Sequence, residues 1–258
     1  MSYLNTYQRS PAAFAPDVHL TTPPEEYDYN FVFPVKLLSS DRVELRPFVP
    51  SIHAQLLYDG IAKYPEVTRW LPMQDGSFSD VLALAETMRR NPATLMHAVY
   101  TDAPGADTPK TDPKDYVFAG VMSCINASYD DMTAEPGYII ILPPFQRTHV
   151  LTHAAGTLMH RILDPESLGG LGLRRCQWYT TTLNEASQRA SLRLGYTYEG
   201  TQRAAKVLPL GKEGIRPGRK GDYKQEHMTR DTWGASIIWE EWEEKVRDHV
   251  DGLMARRR

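Results

Sequence analysis

Hydrophobic positions along this chain change period in a readable order. Residues 33–38 and 43–48 are short apolar runs on either side of Ser39-Ser40-Asp41-Arg42, which is the grammar of a β-hairpin. After Pro50-Ser51, the apolar residues Ile52, Leu56, Leu57 and Ile61 recur at helical spacing and predict a helix to about residue 63. A loop runs through Trp70-Leu71-Pro72 to Gly76. Ser79-Asp80 then caps a second helix reaching Arg90, with Pro92 just beyond it. Strands are predicted over 95–101, 116–125 and 137–142. The first two of these are joined by 102–115, a charged surface loop with three prolines and a glycine.

The second half alternates. A helix is predicted over 148–162, and the turn Gly169-Gly170-Leu171-Gly172 leads into a strand over 174–182. Because those glycines precede a strand instead of following one, they are a helix-to-strand turn and not a dinucleotide-binding fingerprint. A helix opens at Asn184, and strands follow over 198–206 and 223–231 on either side of a Gly/Pro/basic loop. Residues 236–256 are predicted as a final amphipathic helix, with Ile237, Trp239, Val246, Val250 and Leu253 as packing positions. Residues 1–32 are rich in Tyr, Pro and Thr without clear period. They read as an extended arm whose aromatics favour packing. The tail Ala255-Arg256-Arg257-Arg258 reads as a solvated end.

Composition narrows the class only a little. The 258 residues, 41% hydrophobic and 24% charged, are those of a folded protein with a sizeable core. A net charge of −3 and the lack of a basic recognition motif argue against nucleic acid. No stretch approaches the apolar length of a membrane span, and no secretory signal is legible, so a cytoplasmic protein is expected. Cys124 and Cys176 sit in apolar strand-like runs and read as buried thiols of a reducing compartment. His97, His149, His153 and His160 are scattered. His149 and His153 stand four apart on a helix but have no evident third ligand, so no metal is assigned.

The most specific block is Asn184-x-x-Ser187, seven residues, then Gly195-Tyr196-x-x-Glu199-Gly200. Asn184 is a good helix N-cap, and Gly195 sits where a left-handed residue ends the helix. This block resembles the second half of the acetyl-CoA-dependent N-acetyltransferases of the GNAT superfamily, in their ribosomal-protein N-acetyltransferase-like (RimJ/RimL-type) branch. The element order also matches the GNAT plan over about 35–233. The resemblance implies an α/β (α+β) fold with a central mixed, mostly antiparallel twisted sheet of about seven strands flanked by helices. In that fold one splayed strand pair binds coenzyme A. The chain then divides into an arm (1–32), the acetyltransferase domain (33–233) and a C-terminal amphipathic helix (234–258).

The resemblance also implies site residues. The splayed strand would end at Ile140, Ile141 and Leu142, before Pro143-Pro144, and would offer free backbone groups to the pantetheine arm. The pyrophosphate would rest on the helix start formed by Gln146, Arg147, Thr148, His149, Val150, Leu151 and Thr152, where unpaired N–H groups favour anions. The family has small residues where this chain has His149 and Leu151. These side chains either narrow the phosphate cradle or, with Arg147, supply donors to it. Asn184 would also hydrogen-bond the arm, with Ser187 and Ser191 beside it. Ser191 stands where many members carry a tyrosine acid.

For catalysis, Glu135 matches the location of the family's general base, with Glu199 as second candidate. Ser187 matches the donor to the leaving thiolate, and Tyr196 is a further candidate. Trp70, Phe78, Glu135 and Tyr138 would face the acceptor, and Lys212, Arg216, Arg219 and Lys220 lie in a loop that lines the same pocket in the family. The expected activity is acetyl transfer from acetyl-CoA to a primary amine by direct attack in a ternary complex. A small-molecule amine is the leading acceptor. A protein N-terminus, or CoA binding without turnover, are the alternatives. No nucleic acid or membrane partner is expected, and the protein is expected to be a monomer or a homodimer.

Overall fold

A computed structural model describes residues 18–74, 76–104 and 112–256. The first 17 residues of the expected arm, residues 105–111 of the charged loop and the last two arginines lie outside the described residues. One eight-stranded sheet runs through the molecule in the order β1-β2-β3-β4-β5-β6-β8-β7. Its strands are β1 (Leu38–Ser39), β2 (Val43–Pro47), β3 (Leu95–Thr101), β4 (Val117–Ser128), β5 (Thr133–Ile141), β6 (Arg175–Thr181), β7 (Thr197–Val207) and β8 (Thr229–Ile238). Every neighbouring pair is antiparallel except β5 and β6. The expected mixed, mostly antiparallel sheet is therefore present, with eight strands, the first two forming the predicted hairpin.

Helices α1 (Pro50–Lys63), α2 (Phe78–Arg89), α3 (Val150–Leu163) and α4 (Glu185–Arg193) flank the sheet. α1 and α2 pack on each other and against β4 and β3, whereas α3 lies against β1, β2, β4, β5 and β6. Local signals explain most boundaries. Ser77, not Ser79, is the N-cap of α2: its hydroxyl accepts from the Asp80 N–H and the Asp80 carboxylate accepts from the Ser77 N–H, a reciprocal capping box. Asn184 caps α4 by accepting from the Ser187 N–H. Gly195 ends that helix at φ +98°, where a side chain would be strained and would also meet Val246.

Three predicted elements shift. β5 starts at Thr133, so Glu135 lies inside the strand. β8 covers Thr229–Ile238 instead of 223–231, since pairing of Cys176 with Ile237 and of Arg175 with Ile238 extends the ladder. The C-terminal helix therefore begins only at Trp239, as α5 (Trp239–Glu241), a π-helical turn (Trp242–Val246) and α6 (Arg247–Met254). Ile237 packs in the core from a strand, and Trp239 is exposed. Trp242, fully buried, donates its indole N–H to Asp164, which also receives Arg247. α6 closes on α3 at Gly156, where a Cβ would stand 2.5 Å from the Met254 sulfur.

Residues from Val18 onward pack along α2. Glu86, buried at the end of that helix, receives Arg89, Arg90 and His19. The Asn30 side chain donates to the Arg89 carbonyl, and Val32 N–H donates to Pro92. Tyr27 stacks edge-on with both His19 and Tyr29.

Candidate active site

β5 and β6 pair only at Thr133 with Arg175 and Ala134 with Cys176. Beyond those two rungs β5 continues to Ile141 alongside β4, while β6 continues to Thr181 alongside β8. The edge of β5 that faces β6 therefore carries no ladder bonds after Ala134. Unpaired backbone groups are costly to bury dry, so such an edge is built for water or a ligand. Tyr138 takes φ +46°, and the β4–β5 register slips between Val121 and Ser123, a bulge in β5 within the stretch that does not pair with β6.

Glu135 stands where the two strands part. It is 2% exposed, and its carboxylate accepts from Asn126 Nδ2 at 2.7 Å and from the Tyr179 N–H at 3.2 Å. Burial pushes its pKa up to about 7 despite these donors and the charges of Lys206 and Arg230. A carboxylate tuned to that range is suited to shuttling a proton near neutrality. Arg230 of β8, 6% exposed, completes the cluster, with its Nε donating to Thr232. Tyr138 and Glu135 both feel its charge.

At the far end of the gap, Leu142 leads through Pro143–Phe145 to α3. No side chain of the N-cap residue His149 closes the helix, and the first helical bond is donated by the His153 N–H. The N–H groups of Leu151 and Thr152 thus have no carbonyl partner in the helix, while that of Val150 reaches the Thr148 hydroxyl at 3.3 Å. Arg147 is exposed at φ +60°.

A profile of the Acetyltransferase (GNAT) domain matches residues 42–197. The chain belongs to the GNAT acetyltransferase family. It is an acyltransferase of the acetyl-CoA-dependent kind. No curated protein matches it significantly. Solved structures do share its fold. A GCN5-related N-acetyltransferase from Brucella melitensis is 21% identical, with a TM-score of 0.66 over 86% of this chain and 87% of that one. RimJ of Mycobacterium smegmatis, in complex with CoA-disulfide, is 16% identical, with a TM-score of 0.59 over 84% and 93%. An acetyltransferase from Salmonella typhimurium that modifies the N-terminal serine of ribosomal protein L7/L12 is 20% identical, with a TM-score of 0.57 over 79% and 99%.

The residues of this GNAT chain fit a coenzyme A. The slot has a free strand edge along one side and an amide-bearing helix end at its base. His149 does not fill that base: its Nε2 pairs with Thr101 at 3.0 Å and its ring packs edge-on against His153. Leu151 packs against the core. Gln146 braces the turn by donating to the Ile141 carbonyl, and the Thr152 hydroxyl is met by Arg193. Ile140, Ile141, Leu142 and Val150 are buried, so only their backbones are available to a ligand. Asn184 uses its Oδ1 on the Ser187 N–H, and its amide nitrogen has no partner among the described residues. Ser187 accepts from Trp178 Nε1 at 2.9 Å, which leaves its own O–H to donate elsewhere.

The structure places five of the expected site residues elsewhere. Ser191 is fully buried and back-bonded to the Gln188 carbonyl, so its hydroxyl reaches no cofactor. Tyr196 is 3% exposed, with its phenol on the Cys176 sulfur at 3.0 Å, and burial raises its pKa further, so it is a core residue and not an acid. Glu199, the second base candidate, is held by Arg175 and Ser236, which lowers its pKa. Phe78 packs against Tyr58, and Trp70 lies under the Arg69 guanidinium, so neither joins the Glu135 cluster.

The β7–β8 loop reaches the α1–α2 segment instead: Arg69 pairs with Glu213 and Lys212 donates to the Thr68 carbonyl. These residues, with Tyr58 and Ile61, line a cavity of ≈ 610 Å³. Arg216 pairs with Asp231, and Arg219 and Lys220 are exposed. Sequence reasoning misses Asn126, the Tyr179 N–H and Arg230. Only Arg230 leaves a signal, since strand alternation from Ser236 back through Gly234 and Thr232 sets it on the same face.

Proposed function

We propose that the chain acetylates a primary amine by direct attack in a ternary complex, with Glu135 as general base. The observation that carries this reading is the coincidence of three features at one point: the parting of β5 and β6, a buried carboxylate, and a pKa near 7. Acetyl-CoA supplies the acyl group as an activated thioester. Glu135 takes the proton that the ammonium must lose before it can attack, and Asn126 and Tyr179 hold that carboxylate in place. A bond forms from the amine nitrogen to the acyl carbon as the carbon–sulfur bond breaks. Ser187, already oriented by Trp178, donates to the departing sulfur. The unpaired β5 edge, the Asn184 amide and the first N–H groups of α3 bind the carrier. Neither cysteine competes as a nucleophile: both are buried, and burial pushes Cys124 up to about 12 and Cys176 higher still.

The acceptor is a small amine: the β7–β8 loop, held to the α1–α2 segment by Arg69–Glu213 and Lys212–Thr68, borders a cavity of ≈ 610 Å³, and the Pro65–Thr68 turn that lines it packs against β5. A protein N-terminus, the acceptor of the Salmonella typhimurium neighbour, is the second reading. Two unpaired, buried thiols suit a reducing compartment, and the described residues contain no helix long and apolar enough to cross a membrane, so we place the enzyme in the cytoplasm. Free-thiol release from acetyl-CoA across a panel of small amines and short peptides tests the reading. Release with small amines above peptides supports it. Coenzyme A binding by calorimetry without release for any amine overturns it.

A further inference from the structure

Arg230 is a buried cation that forms no ion pair among the described residues, although the charge of Glu135 acts on it. It lies on β8 opposite Lys206 of β7, two residues beyond Thr232, which pairs with Thr181 at the end of β6. That position is the mouth of the gap between β5 and β6. Its Nε donates to Thr232 at 3.1 Å. The adjacent Asp231 is engaged with Arg216 and with the Ala204 N–H. Glu135 is also engaged, receiving Asn126 and Tyr179. The two Nη groups of Arg230 have no partner among the described residues and are not sealed from solvent. Buried guanidinium groups are nearly always paired, and their planar fork matches a carboxylate in a bidentate way.

We infer that the acceptor bears a carboxylate as well as its amine, and that Arg230 binds that carboxylate while Glu135 faces the amine. The inference rests on the N-acetyltransfer reading above and names its substrate class: amino-carboxylic acids. Charge balance supports it. A zwitterion places its ammonium at Glu135 and its carboxylate at Arg230, leaving two matched pairs and no surplus charge in the cleft. A phosphate dianion in the same place would leave excess negative charge beside Glu135.

The test compares acceptors that differ only in that charge: a set of α- and ω-amino acids, their carboxamides, and O-phosphoethanolamine, with thiol release as readout. The wild-type enzyme should prefer carboxylate over carboxamide by about 10- to 100-fold in kcat/KM, the worth of a hydrogen-bonded charge pair. Arg230→Gln should reduce that ratio to about threefold or less, and Arg230→Lys should fall between. Thermal melting establishes that each variant folds. Equal rates for carboxylate and carboxamide in the wild type, an unchanged ratio in Arg230→Gln, or phosphoethanolamine as the preferred acceptor would each overturn the inference. Absence of thiol release with every amine tested would instead defeat the parent reading. For that outcome, calorimetry of N-acetyl amino acids and their amides against the CoA-loaded protein decides separately: carboxylate-selective binding that Arg230→Gln abolishes sustains the assignment, and its absence ends it.

Discussion

Replacing Glu135 by Gln probes both the energetics and the chemistry of the cleft. Burial raises this carboxyl from 4.5 to about 7. A shift of that size is worth about 3 kcal/mol against the ionised form. The folded protein therefore holds the proton to a higher pH than the unfolded chain does. Between pH 4.5 and about 7 the native state binds more protons, so Glu135 makes stability fall as pH rises through this window, and the loss is complete above it. Glutamine has no such titration. Relative to the wild type, Glu135→Gln should gain about 3 kcal/mol between pH 4 and pH 9, measured by urea unfolding at matched pH. In melting temperature this is roughly 6–12 °C for a chain of this size. Glutamine offers one acceptor to two donors, so its NH2 meets either Asn126 Nδ2 or the Tyr179 N–H donor to donor, which shifts the whole curve but not its slope. In the same variant kcat/KM should drop by about 10²- to 10⁴-fold and lose a rising limb near pH 7. A stability difference that stays flat across pH would refute the raised pKa, and an intact limb near 7 would place the base elsewhere.

Further tests follow from single contacts. Ser187→Ala removes the acceptor of Trp178 Nε1 and should lower stability by about 1 kcal/mol, with turnover down several-fold and CoA affinity little changed by calorimetry; unchanged turnover removes Ser187 from the leaving-group role. Glu199→Gln breaks a half-exposed pair with Arg175, so unfolding should shift by only about 0.2–1 kcal/mol while turnover stays near wild type. A loss of turnover matching that of Glu135→Gln would transfer the base role to Glu199. Trp242→Ala empties a fully buried site and should destabilise by about 3–5 kcal/mol in urea. Trp242→Phe, which loses mainly the bond to Asp164, should cost about 1–3 kcal/mol. Arg69→Glu opposes Glu213 and should raise the acceptor KM without altering CoA affinity, and adding Glu213→Arg should restore part of the loss.

Much of the fold is legible in the chain because local signals and tertiary pairing agree. The hairpin around Ser39-Ser40-Asp41-Arg42, the Asn184 cap and the Gly195 stop each act within a few residues, and each appears where expected. Ambiguity arises where two periods fit one stretch. Ile237 suits either a helix face or an extending strand, and the rungs from β6, which reach Ile238, decide for the strand and leave Trp239 to open the helix. Glu135 is locatable, but its environment is not, since Asn126 and Tyr179 reach it from other strands. Ser191 and Tyr196 illustrate the opposite error. Their spacing from Asn184 is right, but the side chains turn inward, Ser191 to its own helix and Tyr196 to Cys176. The positions of His149 and Leu151 suggest a blocked cradle, whereas Thr101 and the core draw both side chains aside.

Two rungs are all that join strands β1–β5 to strands β6–β8, so the sheet behaves as a pair of plates fastened at one corner and spanned by α3. A molecule lodged between the plates ties them together and should register as heat resistance whether or not any reaction occurs. At a hundred times its dissociation constant such a molecule adds about 2.7 kcal/mol. Melting curves recorded with coenzyme A present can therefore screen compounds for this enzyme before a single turnover has been observed.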